Sequence, residues 1–190
     1  MRAILGTPPK DGLKHWILGT VLKDRDIACI PMFAGIWDVS ARAMYGHIVA
    51  RPILQDQDYS ACSYRPETRA DYFRVAGGQN AAKDIFLDPD TGPAVKSGYE
   101  YLSFEDLSAH ILPKGSRRVA IVFDMVRSRF KKEDYAANIV QYLSDTELGA
   151  FAYYGTHMYL LFTGRNREEP EAVKRLITAS CPKERVIDVR

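Results

Sequence analysis

Two runs, Ile85-Phe86-Leu87 and Val119-Ala120-Ile121-Val122-Phe123, are continuously apolar, and each stops at an aspartate, Asp88 and Asp124. A strand with one wet face alternates apolar and polar residues, so an unbroken apolar run belongs to a strand covered on both faces. Helical patterns lie before, between and after these runs. That alternation predicts an α/β fold with a mainly parallel sheet and helices on its faces. Ligands of such sheets bind beyond the carboxyl ends of the strands. Asp88 and Asp124 are therefore expected at that edge, on neighbouring strands.

The rest of the chain fits around these two strands. Asp11 can cap a helix over 12–23, with Leu13, Trp16, Ile17 and Val21 on one face. The run 27–33 reads as a buried strand, although Pro31 suits a central strand poorly. A short helix is expected over 39–45 and a strand over 47–50; the polar stretch 54–64 is ambiguous. Pro66 can start a helix that Gly77-Gly78 ends. Ser103 and Asp106 have capping-box spacing and open a helix through Ile111. Tyr135, Ala136, Ile139, Val140 and Leu143 form a helical stripe. The runs 150–154 and 158–162 make a hairpin pattern, 168–180 a helix with its acids first, and 186–189 a final strand.

The chain of 190 residues is long enough for one domain with a real core, and a net charge of +2 gives no whole-molecule pull toward nucleic acid. Any basic footprint must be local. Cys29, Cys62 and Cys181 are too scattered for a disulfide framework or a metal motif. The amino terminus lacks the apolar run of a signal peptide, and no stretch approaches a membrane span. The expected location is cytoplasmic. His15, His47, His110 and His157 are scattered without metal-ligand spacing, and no metal site is expected.

Asp88 and Asp90 lead the candidate catalytic residues, because they follow a buried strand. Asp-Pro-Asp-x-Gly is also good turn chemistry. Asp124 comes next. Arg127, Arg129, Lys131 and Lys132 follow it and Arg117-Arg118 precede its strand, a cationic loop that could hold a phosphate backbone near the acids. Tyr64, Arg65, Arg69, Tyr72 and Arg74 interleave rings and cations in a way that can stack on bases or simply cover a helix.

At Asp84-Ile85-Phe86-Leu87-Asp88-Pro89 the chain resembles the fourth-strand motif of class I S-adenosylmethionine-dependent methyltransferases. The helix, fifth strand, helix and antiparallel hairpin that follow resemble that fold in their order. Asp90 and Thr91 stand where amino-methylating members carry a second proline and an aromatic residue. The resemblance implies a Rossmann-like sheet with a carboxyl-terminal hairpin, nucleic acid (DNA or RNA) as partner, and S-adenosylmethionine as cofactor near Phe33 and Gly35. Asp88 and Pro89 would face the target amino group, with Arg127 and Arg129 on the substrate. Held by acceptors, an amino group turns its lone pair toward a methyl donor.

An alternative divides the chain into 1–113 and 114–190, the second a ferredoxin-like domain with its β-α-β-β-α-β elements over 118–190. That domain would bind nucleic acid or cleave it with metal, using Asp124. The two readings part on whether the strand at Ile85 lies parallel to the strand at Val119, or the strand at Val186 completes a sheet around it.

Overall fold

The computed structural model describes residues 8–32, 38–53, 66–78, 84–89, 92–94, 101–125, 132–143, 147–155 and 158–189. Its centre is a six-stranded sheet. In chain order the strands are β1 (Ile27–Met32), β2 (Asp84–Pro89), β5 (Val119–Met125), β6 (Gly149–Gly155), β7 (Met158–Gly164) and β8 (Val186–Asp188), with a separate parallel pair, β3 (Gly92–Ala94) and β4 (Tyr101–Ser103). The spatial order is β1-β2-β5-β7-β6-β8. β1, β2 and β5 run parallel, and β7 pairs antiparallel with both β5 and β6. The fold is thus α/β with a mixed sheet.

Among the described residues, six α-helices cover it: α1 (Pro8–Trp16), α2 (Val39–Val49), α3 (Pro66–Gly78), α4 (Phe104–Asp106), α5 (Lys132–Leu143) and α6 (Glu168–Ser180). α1 and α4 each run on into a π-helical turn, Ile17–Val21 and Leu107–Ile111. The sheet has a core on each face. One packs Ile17 and Leu18 of the turn after α1, Tyr45 and Val49 of α2, and Val173 and Ile177 of α6 on Phe86, Ile121 and Phe162. The other packs Tyr72 and Phe73 of α3, Leu107 of the turn after α4, and Ile139 of α5 on Leu87, Val122 and Leu161. β1, β2 and β7 are buried along their whole length, as an apolar run between two helical layers must be.

Several expectations change here. The stretch 39–50 is one helix, not a helix and a strand. Asp38 caps it by accepting from the Ala41 amide at 2.8 Å, and Ala50, at φ 52°, ends it. Pro31 does sit inside β1, at no cost to the ladder. The Cys29 amide points away from β2 to the Pro52 carbonyl, 2.8 Å away. Two residues on, the nitrogen of Pro31 faces the same outer side, where no sheet partner is lost. The capping box is present as expected: Ser103 Oγ accepts from the Asp106 amide at 2.9 Å while the Asp106 carboxylate accepts from the Ser103 amide at 3.2 Å. The stretch 54–64 lies outside the described residues.

The ferredoxin-like arrangement is found only as far as β5-α5-β6 with β7 inserted between the two parallel strands. The strand at Val186 does not complete a sheet around β5. It pairs with Phe151–Tyr153 of β6, because the other edge of β5 is already occupied by β2. One sheet therefore takes strands from both halves of the chain.

A carboxylate and an ammonium at the carboxyl edge

The carboxyl ends of β1, β2 and β5 lie side by side, and Asp88 is at the end of the middle strand. Its side chain is only 1% exposed. Lys14 of α1 reaches it across the sheet face, with Nζ 2.8 Å from Oδ1 and 2.9 Å from Oδ2. The same ammonium lies 3.9 Å from the centroid of the Phe123 ring and 3.9 Å from Asp11 Oδ1. A cation over a ring face is drawn to its negative quadrupole. Tyr45 of α2 completes the group: burial, with the Asp88 charge next, holds its phenol well above the ordinary range. The Cys29 thiol on β1 is pushed up for the same two reasons, burial first and Asp88 second.

These two shifts set an alkaline limit. A group whose folded pKa is raised adds stability that is present below its unfolded pKa and lost as pH rises beyond it. For Cys29 and Tyr45 the unfolded values are near 9.0 and 10.0. The urea midpoint is expected to hold up to about pH 8.5 and to fall steadily above that, less steeply in Cys29→Ala, where the Cys181 thiol, also raised by burial, keeps the onset in place.

Asp124 lies at the same edge but not in the same site. Phe86 and Asp88 face the α1–α2 layer, whereas Val122 and Asp124 face the α5 layer, because side chains alternate along a strand. There Asp124 stands beside Tyr135, whose phenol is raised well above its usual value by burial and then by that carboxylate. The Tyr135 ring stacks on Tyr159 with centroids 3.6 Å apart. Gly92 packs directly on Asp124: at φ 104°, an added Cβ would fall 2.1 Å from Oδ1. The two aspartates therefore form two environments, one on each face, and not a shared pair.

Pro89 ends β2 and is buried. Phe33, Gly35, Asp90, Arg127 and Arg129 lie outside the described residues, as do Tyr64, Arg65 and His157. Arg118 is not part of the carboxyl edge. β5 is seven residues long, so Arg118 sits about 20 Å away at the strand's other end, next to Asp84. Three members of the interleaved set lie on α3, and each has a partner within the fold. Arg69 donates from Nε to Asp106 at 2.9 Å, the Tyr72 hydroxyl donates to the Pro31 carbonyl at 2.6 Å, and Arg74 pairs on the surface with Asp71.

The residue that sequence reasoning missed is Lys14. It lies three and four residues before Ile17 and Leu18, both fully buried, and so on the inward stripe of α1. That spacing was the available signal.

The residues expected to meet S-adenosylmethionine, Phe33 and Gly35, directly follow the buried end of β1, Pro31 and Met32, and both oxygens of Asp88 are engaged by Lys14. Among the described residues no group of three or more His, Cys, Asp or Glu could hold a metal ion, and no helix is long and apolar enough to cross a membrane. No family model, curated protein or solved structure matches the chain.

Proposed function

We propose that this chain is a Rossmann-like, methyltransferase-like protein that binds nucleic acid at the carboxyl edge of β1, β2 and β5. The observation that carries the reading is the position of Asp88, a buried acid followed by proline, at the end of a parallel strand flanked by two others. The parallel pairing of β2 with β5, and the antiparallel β6–β7 pair beyond it, support the resemblance in element order. The cationic sequence that leaves this edge, Arg127, Arg129, Lys131 and Lys132, supplies charge for a phosphate backbone.

The role of Asp88 is recognition. A carboxylate at a strand end, beside the face of Phe123, accepts from an amino group and excludes a carbonyl in the same place. No step is assigned to a cofactor.

Retention of labelled single-stranded DNA and RNA on filters at low salt tests the proposal. Wild-type protein is expected to retain one or both. The pair Arg127→Glu and Arg129→Glu is expected to lower affinity at least about tenfold and to flatten the salt dependence by about two charges. Equal retention by both proteins, or none by either, would reject it. Calorimetric titration with S-adenosylmethionine and its demethylated product decides a separate point. Saturable heat adds methyl transfer to the proposal, and its absence confines the protein to binding.

A further inference from the structure

The helices that precede β1 and β5 end in the same way on opposite faces of the sheet. α1 passes into the π-turn Ile17–Val21, and α4 into Leu107–Ile111. The next residue closes each turn: the Leu22 amide donates to the Ile17 carbonyl at 2.9 Å, and the Leu112 amide to the Leu107 carbonyl at 2.8 Å. A helix end leaves its last carbonyls without amide partners. Both ends lie against the core, with Leu18, Leu22, Leu107 and Leu112 buried, so these carbonyls need donors from elsewhere in the chain.

An arginine from a distant segment supplies them each time. Arg51, directly after the cap of α2, donates from Nε and Nη2 to the Leu18 carbonyl at 3.0 and 2.5 Å, and from Nη2 to the Leu22 carbonyl at 2.6 Å. Arg165, directly after β7, donates from Nη2 to the Ser108 carbonyl at 2.8 Å and from Nε to the Leu112 carbonyl at 2.7 Å. Each fork thus joins the second residue of a π-turn to the residue that closes it. The Leu22 carbonyl also accepts from the Arg25 amide at 3.0 Å. The stretches 17–22 and 107–112 have only the closing leucine in common, so the likeness is one of geometry. A planar guanidinium meets two carbonyls at once, where an ammonium is a single point of charge, and its charge suits the carboxyl end of a helix.

The two turns differ in what they hold. The layer tied by Arg51 carries Lys14 and Tyr45, which meet Asp88. The segment tied by Arg165 begins at the Ser103–Asp106 box, where Asp106 receives Arg69 of α3. β4 runs into that box and pairs with β3, whose Gly92 packs on Asp124.

We propose that Arg51 and Arg165 are two straps, each locking one helical layer to the sheet independently of the other: Arg51 the layer at Asp88, Arg165 the layer at Asp124. Cutting one strap loosens its own layer and leaves the sheet and the opposite layer closed.

Native-state amide exchange on the whole chain, followed residue by residue, tests the straps. In Arg51→Ala the amides of 13–22 and 45–49 are expected to exchange at least about tenfold faster than in wild type, from the loss of charge-assisted hydrogen bonds at the helix end. The amides of 104–112 are expected to change no more than those of β5. In Arg165→Ala the pattern is expected to reverse, with 104–112 accelerated and 13–22 following β5. Arg51→Lys and Arg165→Lys are expected to accelerate the same segments less, by roughly threefold, since one carbonyl keeps its donor. Should an alanine variant not fold, the corresponding lysine variant decides. Acceleration by one common factor across both layers would overturn the proposal, and so would unchanged exchange in the layer whose strap is cut.

Discussion

Asp88→Ala is expected to destabilise the protein by about 3–5 kcal/mol, seen as a fall in the urea midpoint, because it leaves the Lys14 ammonium buried without its partner. Lys14 and Asp88 are 1% and 3% exposed, so water does not replace the lost carboxylate. The ring of Phe123 remains beneath the cation and Asp11 stays 3.9 Å away, and the two recover only part of the loss. Lys14→Met combined with Asp88→Leu is expected to lie within about 1 kcal/mol of wild type, since both desolvation costs vanish with the charges. The two results together separate a pair required for the fold from one retained for recognition. If the double variant is as unstable as Asp88→Ala, the pair is structural.

The second large effect is at the opposite edge. Asp84 ties three segments together: Oδ2 accepts from Arg25 Nε at 2.5 Å, and Oδ1 accepts from the Val119 amide at 2.8 Å. Arg25 also reaches Glu169 of α6 at 3.1 Å. Asp84→Ala takes this acceptor from the first amide of β5 and releases a guanidinium that is only 22% exposed. The expected loss is about 2–4 kcal/mol. Asp84→Asn keeps an acceptor for Val119 and is expected to recover roughly half of it. Because Asp84 and Asp88 are separated by the length of β2, the Asp84→Ala variant is also the control for nucleic-acid binding. Its remaining folded fraction is expected to bind as wild type does.

How much of this was legible in the sequence follows from which signals are local. Strand ends at Asp88 and Asp124, the Ser103–Asp106 box and the helix 168–180 were all legible, because apolar runs, caps and charge placement act within a few residues. Register was not. Leu87 lies opposite Val122, so Asp88 falls opposite Phe123 and Asp124 falls opposite Pro89. A one-residue offset between neighbouring strands sends the two aspartates to opposite faces, and no local pattern encodes that offset. Lys14 was missed for another reason. A lysine on a short helix reads as solvated, and only its distant partner, 74 residues away, makes burial tolerable. The same holds for Arg69, whose partner Asp106 lies 37 residues on. The fused helix 39–49 shows a tertiary preference: Tyr45 and Val49 face the core, and the helical stripe outweighs the strand propensity of Ile48-Val49.

The central claim is that nucleic acid meets the protein at the carboxyl edge of the parallel strands. Ultraviolet crosslinking of thiouridine-substituted RNA and thiothymidine-substituted DNA, followed by mass mapping of the adducts, tests it most directly. The account predicts adducts on peptides that contain the ends of β2 and β5, residues 86–92 and 123–135, and fewer of them when Arg127 and Arg129 are reversed in charge. Adducts confined to the other edge, around Arg25, Arg118 and the start of α6, would contradict it.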